Sequence, residues 1–207
     1  MLGTGMILAL DTSTAACTAA LFGPDGELLG TADEVIGRGH AERLMPMIAD
    51  LLAGHRADRI LVGCGPGSFT GLRVGIAAAH GMAIGWSAQV HGLSSIALLA
   101  LAAPSEEPVA AAMIGGHGEL FVQEFAAGVR EPTGPLLNLK PEAAAATVAS
   151  DLVVGPGAAV LVQARGRGQA LDRLPSASAA LALPDSLRTL RAQPIYGRAP
   201  DARPKAA

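Results

Sequence analysis

The sequence predicts an α/β protein of two lobes, each a mixed sheet with helices. Its first half reads in the order β-β-β-α-β-α-β-α, a run that closes one sheet-and-helix unit. A Pro-rich break at Pro104-Ser105-Glu106-Glu107-Pro108 follows, and beyond it strands and helices resume. The 207 residues suit two small lobes, and a 50% hydrophobic composition supplies a core for both.

Met6-Ile7-Leu8-Ala9-Leu10 is a continuous apolar run of strand length that ends at Asp11-Thr12-Ser13-Thr14. Residues 15–22 read as a second strand and Gly23-Pro24-Asp25-Gly26 as a hairpin turn. Residues 27–35 complete a meander, which Gly37 and Gly39 break. Within 40–52, Leu44, Met47, Ile48, Leu51 and Leu52 recur at helical spacing. Pro46 is expected near the first turn of that helix, where its missing N–H is harmless. Residues 58–64 read as the next strand and 89–92 as a short one. Ser94 or Ser95 then caps a helix running to 103.

Gly65-Pro66-Gly67-Ser68-Phe69-Thr70-Gly71-Leu72-Arg73-Val74-Gly75 lies between the strand and an apolar helix over 72–86. A glycine loop before a helix can present bare N–H groups to an anion. It can also be plain turn geometry, which is the favoured reading on loop chemistry alone. No Gly-Lys-Ser/Thr follows, so it is not a Walker loop, and its glycine spacing is not the dinucleotide fingerprint. Pro66 occupies the first glycine position that a nucleophile elbow at Ser68 would need. Between 60 and 105 the only charged side chain is Arg73, and the only histidines are His80 and His91. Acid–base or nucleophilic chemistry would need a base from elsewhere. The helix carries Gly71 and Gly75, then Gly81 and Gly85, at spacings of four, which lets another backbone approach closely. That backbone could belong to the same lobe or to a partner chain.

The second lobe reads as strands at 109–114 and 119–125, a turn at 115–118, a strand at 136–139 and a helix at 141–149. A strand at 152–154 ends at Gly155-Pro156-Gly157, and a further helix runs to about 163. The remainder is punctuated by Pro and Arg. The expected division is therefore 1–103, 104–193 and a Pro/Arg-rich tail at 194–207.

Aromatics make up only 3% of the chain, which argues against a base-stacking platform. Cys17 and Cys64 lack CxxC spacing and read as small core residues of a reduced protein. No signal peptide or membrane span is expected, so the expected location is cytoplasmic. The net charge of −3 hides an asymmetry: residues 1–164 carry 7 basic and 15 acidic side chains, residues 165–207 carry 8 and 3. The basic end reads as a solvated tail in preference to an RNA contact.

These residues resemble the TsaB (YeaZ) family. The resemblance is carried by Ile7-Leu8-Ala9-Leu10-Asp11-Thr12-Ser13, His40-Ala41-Glu42, the 65–75 loop, Gly92-Leu93-Ser94-Ser95 and Pro194-Ile195-Tyr196-Gly197-Arg198-Ala199-Pro200-Asp201-Ala202. It implies an actin-like (ASKHA) two-lobed fold. It also implies a non-catalytic partner of TsaD, the subunit that transfers threonylcarbamoyl to the adenosine beside the anticodon of tRNA. The ATPase TsaE joins that complex, tRNA is met indirectly, and a homodimer is possible when the chain is alone. In TsaD-like relatives a metal is held by His-x-x-x-His, which would fall near Ser95 and Leu99; no His-x-x-x-His occurs anywhere in this chain. Where the family pattern has Asp-Ala-Arg, this sequence has Ile114-Gly115-Gly116.

Asp11, with Thr12 and Ser13, sits where actin-like ATPases place the carboxylate that organises metal and nucleotide. Residual nucleotide binding is one reading, and an Asx-type cap of the strand-end turn is the favoured one. His40 and Glu42 read as side chains satisfying backbone donors at a helix start in preference to a catalytic or metal pair. Arg73 reads as an ion-pair or capping residue, and His80 and His91 as packing residues. His40, Glu42, Leu44, Met47 and Leu51, with Gly75, Ala78, Ala79 and Met82, are the expected partner face. No cofactor, metal or catalytic residue is expected. The competing readings are an actin-like ATPase or kinase and a glycoprotease-like metallopeptidase.

Overall fold

A computed structural model of the chain describes residues 5–104, 106–128 and 130–195. Strands β1 (Ile7–Asp11), β2 (Ala16–Phe22), β3 (Leu28–Val35), β4 (Arg59–Gly63) and β5 (Gln89–Leu93) form the first sheet in the order β3-β2-β1-β4-β5. The meander β1-β2-β3 is antiparallel, while β4 and β5 add parallel strands on the other side of β1. The second sheet repeats this plan with β6 (Val109–Ile114), β7 (Leu120–Phe125), β8 (Leu137–Leu139), β9 (Leu152–Val154) and β10 (Gln169–Leu171), ordered β10-β9-β6-β7-β8. Again the first three strands are antiparallel and the last two parallel. Two lobes of one topology make the actin-like two-lobed α/β fold that the resemblance implies.

The period-two alternation of strands sorts side chains into two faces. Ile7 and Ala9 face a central layer, whereas Leu8 and Leu10 face outward onto helices α1 (His40–Leu52) and α2 (Phe69–Trp86). In the second lobe Val109, Ala111 and Met113 face the same central layer. Ala110 and Ala112 pack on α4 (Pro141–Thr147) and α5 (Ala158–Arg165). Helix α3 (Ser95–Ala100) fills the centre with all six residues buried, as a helix without a polar face must be. A 3₁₀ helix at Ala177–Ala182 joins it there, with Ala177 N–H donating to Thr18 Oγ1 at 2.8 Å.

That helix belongs to a C-terminal segment that returns to the first lobe. After it come α6 (Asp185–Arg188), an antiparallel bridge between Leu190 and Gly92, and Ile195 N–H, which donates to the Cys64 carbonyl at 2.7 Å. The link between lobes is held by Arg130, buried at 1% exposure, which donates to the carbonyls of Ala103, Pro104, Glu107 and Ala126.

Some sequence expectations shift. Pro46 lies in the middle of α1, on its exposed side, not in the first turn. Its missing N–H leaves the Glu42 carbonyl facing water, where solvent satisfies it. Helix α3 stops at Ala100 because Leu101 to Ala103 run into turns. Strand β10, the 3₁₀ helix at Ala177–Ala182 and α6 are elements that the sequence reading left without structure. Cys17 and Cys64 are both buried and unpaired in any disulfide, and burial pushes each thiol up to about 11. No helix among the described residues is long and apolar enough to cross a membrane.

Leu99, on α3, is fully buried between the two sheets. Leu99→Ala should cost about 2–5 kcal/mol of unfolding free energy, since the lobes on either side prevent collapse around the cavity. Urea denaturation followed by circular dichroism measures it; a loss below about 1 kcal/mol would mean that the central layer is loosely packed.

Candidate functional site

Strand β1 ends at Asp11, and the turn that follows lies directly beneath the glycine loop. Asp11, Thr12 and Ser13 are all buried. Asp11 Oδ1 accepts hydrogen bonds from Ser13 N–H at 2.7 Å and Ser13 Oγ–H at 2.6 Å. Its other oxygen accepts from Ser95 Oγ–H at 2.6 Å, and Ser95 Oγ in turn accepts from Gly65 N–H at 3.0 Å. The carboxylate therefore ties three segments together: its own turn, the start of α3 and the glycine loop. Burial raises its pKa above the ordinary 3.8, and the hydrogen bonds from Ser13 and Ser95 oppose that shift.

The loop is glycine-rich because two backbones nearly touch there. Thr12 Oγ1–H donates to the Gly71 carbonyl at 2.7 Å, and Ser68 N–H donates to the Ser13 carbonyl at 2.7 Å. A Cβ on Gly71 would overlap the Thr12 carbonyl oxygen, and one on Gly75 would lie 2.5 Å from Thr12 Oγ1. A Cβ on Gly63 would overlap the Asp11 carboxylate. Ser68 caps α2, its Oγ accepting from Gly71 N–H at 3.1 Å. Gly65 and Pro66 are buried, and Gly67 packs on Ser13. Ser68 N–H and the Gly71 carbonyl of this loop point at the protein's own turn.

Beside Ser13 the two lobes leave a cleft of about 260 Å³, lined by Ser13, Gly67 and Ser68 on one side and by Met113, Ile114 and Leu174 on the other. None of the described residues lining it is ionisable. Ile114, which stands where the family pattern has Asp, is 59% exposed at that cleft. A polyphosphate entering here would find no cation to meet it.

The positions that align with a TsaD-type metal pair do not fit a metal. Ser95 spends its hydroxyl on Asp11, and Leu99 is an apolar residue in the core. The bond from Ser95 to Asp11 is not foreseen in the sequence, and of the two candidate caps Ser94 is the one used, accepting from Ala97 N–H.

The expected roles of His40, Glu42, His80 and the partner face are corrected. His40 and Glu42 do not cap α1: Gly39 is the N-cap without a side-chain bond, and the His40 ring instead lies 3.1 Å from the Ala16 carbonyl. Glu42 is exposed. Arg73 lies over the Phe69 ring, 3.5 Å from its centroid, a cation–π pair at the open start of α2. His80 is exposed and its Nε2 meets the Ala192 carbonyl at 3.2 Å. The expected partner face is largely internal. Leu44, Met47, Gly75, Ala79 and Met82 are buried in the first lobe's own core, because α1 and α2 turn their apolar sides to the sheet. Leu51 and Ala78 are half-buried. What α2 presents outward is a different stripe: Phe69, Arg73, Ala77, Gly81 and Ile84, with Phe69 at 57% and Ile84 at 84% exposure. Of the terminal motif, Pro194 and Ile195 are described; Tyr196 to Ala202 lie outside the described residues.

A carboxyl with a raised folded pKa ionises at a cost to the fold. Below pH 3.8 both states are protonated and no cost arises; as pH rises above 3.8 the cost grows until Asp11 is ionised in the folded state too. Asp11→Asn keeps an acceptor for Ser13 and cannot ionise. In urea titrations from about pH 4 to about pH 8, the wild type should lose stability relative to this variant as pH rises. A difference that stays flat over that range would mean that burial does not hold Asp11 toward its neutral form.

A family model described as TsaD, tRNA N6-adenosine threonylcarbamoyltransferase, matches residues 27–163. An uncharacterised protein of Mycobacterium leprae is 34% identical over 218 residues, covering 96% of this chain and 56% of its own length. The tRNA threonylcarbamoyladenosine biosynthesis protein TsaB of Haemophilus influenzae is 39% identical over 133 residues, 60% of this chain and 54% of its own. The chain thus matches a little over half the length of each of these relatives. The solved structure of YeaZ from Pseudomonas aeruginosa superposes with a TM-score of 0.78 at 35% identity, covering 92% of this chain and 99% of that one. With a family model over residues 27–163 and near-complete overlap with YeaZ at 35% identity, the chain belongs to the TsaD family, in its TsaB (YeaZ) branch.

Proposed function

We propose that this chain is a non-catalytic subunit of a cytoplasmic tRNA threonylcarbamoyladenosine system, acting by binding a TsaD homologue. The observation that carries this reading is the closure of the glycine loop on Asp11-Thr12-Ser13, which spends these groups on one another beside a cleft whose described lining is not ionisable. The relatives named for threonylcarbamoyladenosine biosynthesis supply the pathway. An ATPase or kinase would need cations at the cleft, and a metallopeptidase would need ligands that Ser95 and Leu99 do not offer.

The partner docks on the outward stripe of α2. Small residues at Ala77 and Gly81 let a helix approach, and nothing lies within 4 Å of where a Gly81 Cβ would be. Phe69, Ile84 and, on α1, Met45 supply exposed apolar area of the kind that marks an interface. The same stripe pairs two copies of the chain when TsaD is absent, so homodimer and heterodimer compete. TsaE and tRNA join through the assembled complex.

Ile84→Arg and Ala77→Arg should leave the circular dichroism spectrum intact and weaken association with the organism's TsaD homologue at least tenfold, about 1.4 kcal/mol. Folded variants that bind with unchanged affinity would place the interface elsewhere. In reconstitution, the chain alone should transfer no threonylcarbamoyl to tRNA, and adding it to TsaD and TsaE should raise transfer. Transfer by this chain without TsaD would overturn the non-catalytic assignment.

A further inference from the structure

At the opposite end of the first sheet from Asp11, a cavity of about 240 Å³ lies between the inner face of the sheet and α6. Register explains its lining. Ile7 pairs with Arg59 across β1 and β4, and Leu61 pairs with His91 across β4 and β5, so all four project onto one face. Ile7 and Leu61 form an apolar floor; Arg59 and His91 supply hydrogen-bond donors. Asp185 and Arg188 close the cavity from α6.

The charges in this cavity do not balance. Asp185 and Arg188 satisfy each other, Arg188 Nε and Nη2 both donating to Asp185 Oδ1 at 2.9 and 2.7 Å. Arg188 Nη1 donates to the Leu181 carbonyl at 2.7 Å, and Thr189 Oγ1–H is taken by the Asp185 carbonyl. Arg59 is left over: its Nε is buried without a hydrogen-bond partner. Burial and the Arg59 charge both lower the pKa of His91. Two guanidiniums and one carboxylate among the described residues lining the cavity leave a cation in excess, which an anion would offset.

We propose that this cavity binds a single phosphate group of a small ligand, with Arg59 as its cation and His91 as a second donor. Its volume is below the usual ~300–1,000 Å³ of sites that enclose drug-sized molecules, which fits one oxyanion and not a whole nucleotide. The ion would pair with the Arg59 guanidinium that lines the cavity and offset the positive charge that, after burial, depresses His91. Asp185 is the one carboxylate among the described residues lining the site, and Arg188 already engages it.

The test is a titration of the full chain with inorganic phosphate, at constant ionic strength in chloride, following the His91 imidazole by NMR. Binding should give a saturable shift and raise the His91 pKa. Arg59→Gln should weaken binding at least tenfold with an unchanged circular dichroism spectrum. Arg59→Lys, which keeps the charge on the same strand position, should fold and bind more weakly than wild type. A His91 shift that never saturates, or equal phosphate affinity in wild type and Arg59→Lys, would overturn the proposal.

Discussion

Asp11 organises the first lobe from a position that water does not reach. Burying a carboxylate is costly unless its oxygens are satisfied, and here three donors from two segments satisfy them. Ser95 can serve as one of those donors only if α3 starts against β1. Ser95 can also accept from Gly65 only if the loop folds down over the turn. The loop can fold down because Gly63, Gly71 and Gly75 present no side chain where Asp11 and Thr12 approach. Adding a methyl group at Gly75 would push α2 off β1 and β4, which form the floor of its buried face.

From this junction the layers follow. Helix α3, anchored at Ser95, runs into the space between the sheets, and its buried apolar length gives both lobes a common centre. The C-terminal segment then crosses from β10 to the first lobe, laying Ala177 on β2 and Ile195 against Cys64. Arg130 fixes the chain between the lobes by donating to three carbonyls of the link after α3, those of Ala103, Pro104 and Glu107, and to the Ala126 carbonyl after β7.

The strands were legible in the sequence because their apolar runs are continuous and bounded by turn residues: β6 and β9 lie where 109–114 and 152–154 predict them, and β1 (Ile7–Asp11) is one residue on from the expected 6–10. The fold class was legible from element order. The direction of the helix faces was not. In α2, alanine and glycine stand on every side, so periodicity does not say which small residues meet the sheet; Gly75 and Ala79 turned inward and Ala77 and Gly81 outward. Strand β10 has only Gln169, Ala170 and Leu171, too short to carry a period. The partners of Asp11 were also hidden, since Ser95 lies 84 residues away and only the folded chain brings it near.

The proposed scaffold role rests on a glycine loop already seated on the Asp11 turn before any ligand arrives. Amide hydrogen exchange of the isolated chain, with and without Mg–ATP, tests that idea directly. The account predicts that protection over residues 8–14 and 63–75 is high and the same in both samples, because the loop is already seated on the turn. A saturable increase in protection of those two segments on adding nucleotide would contradict it.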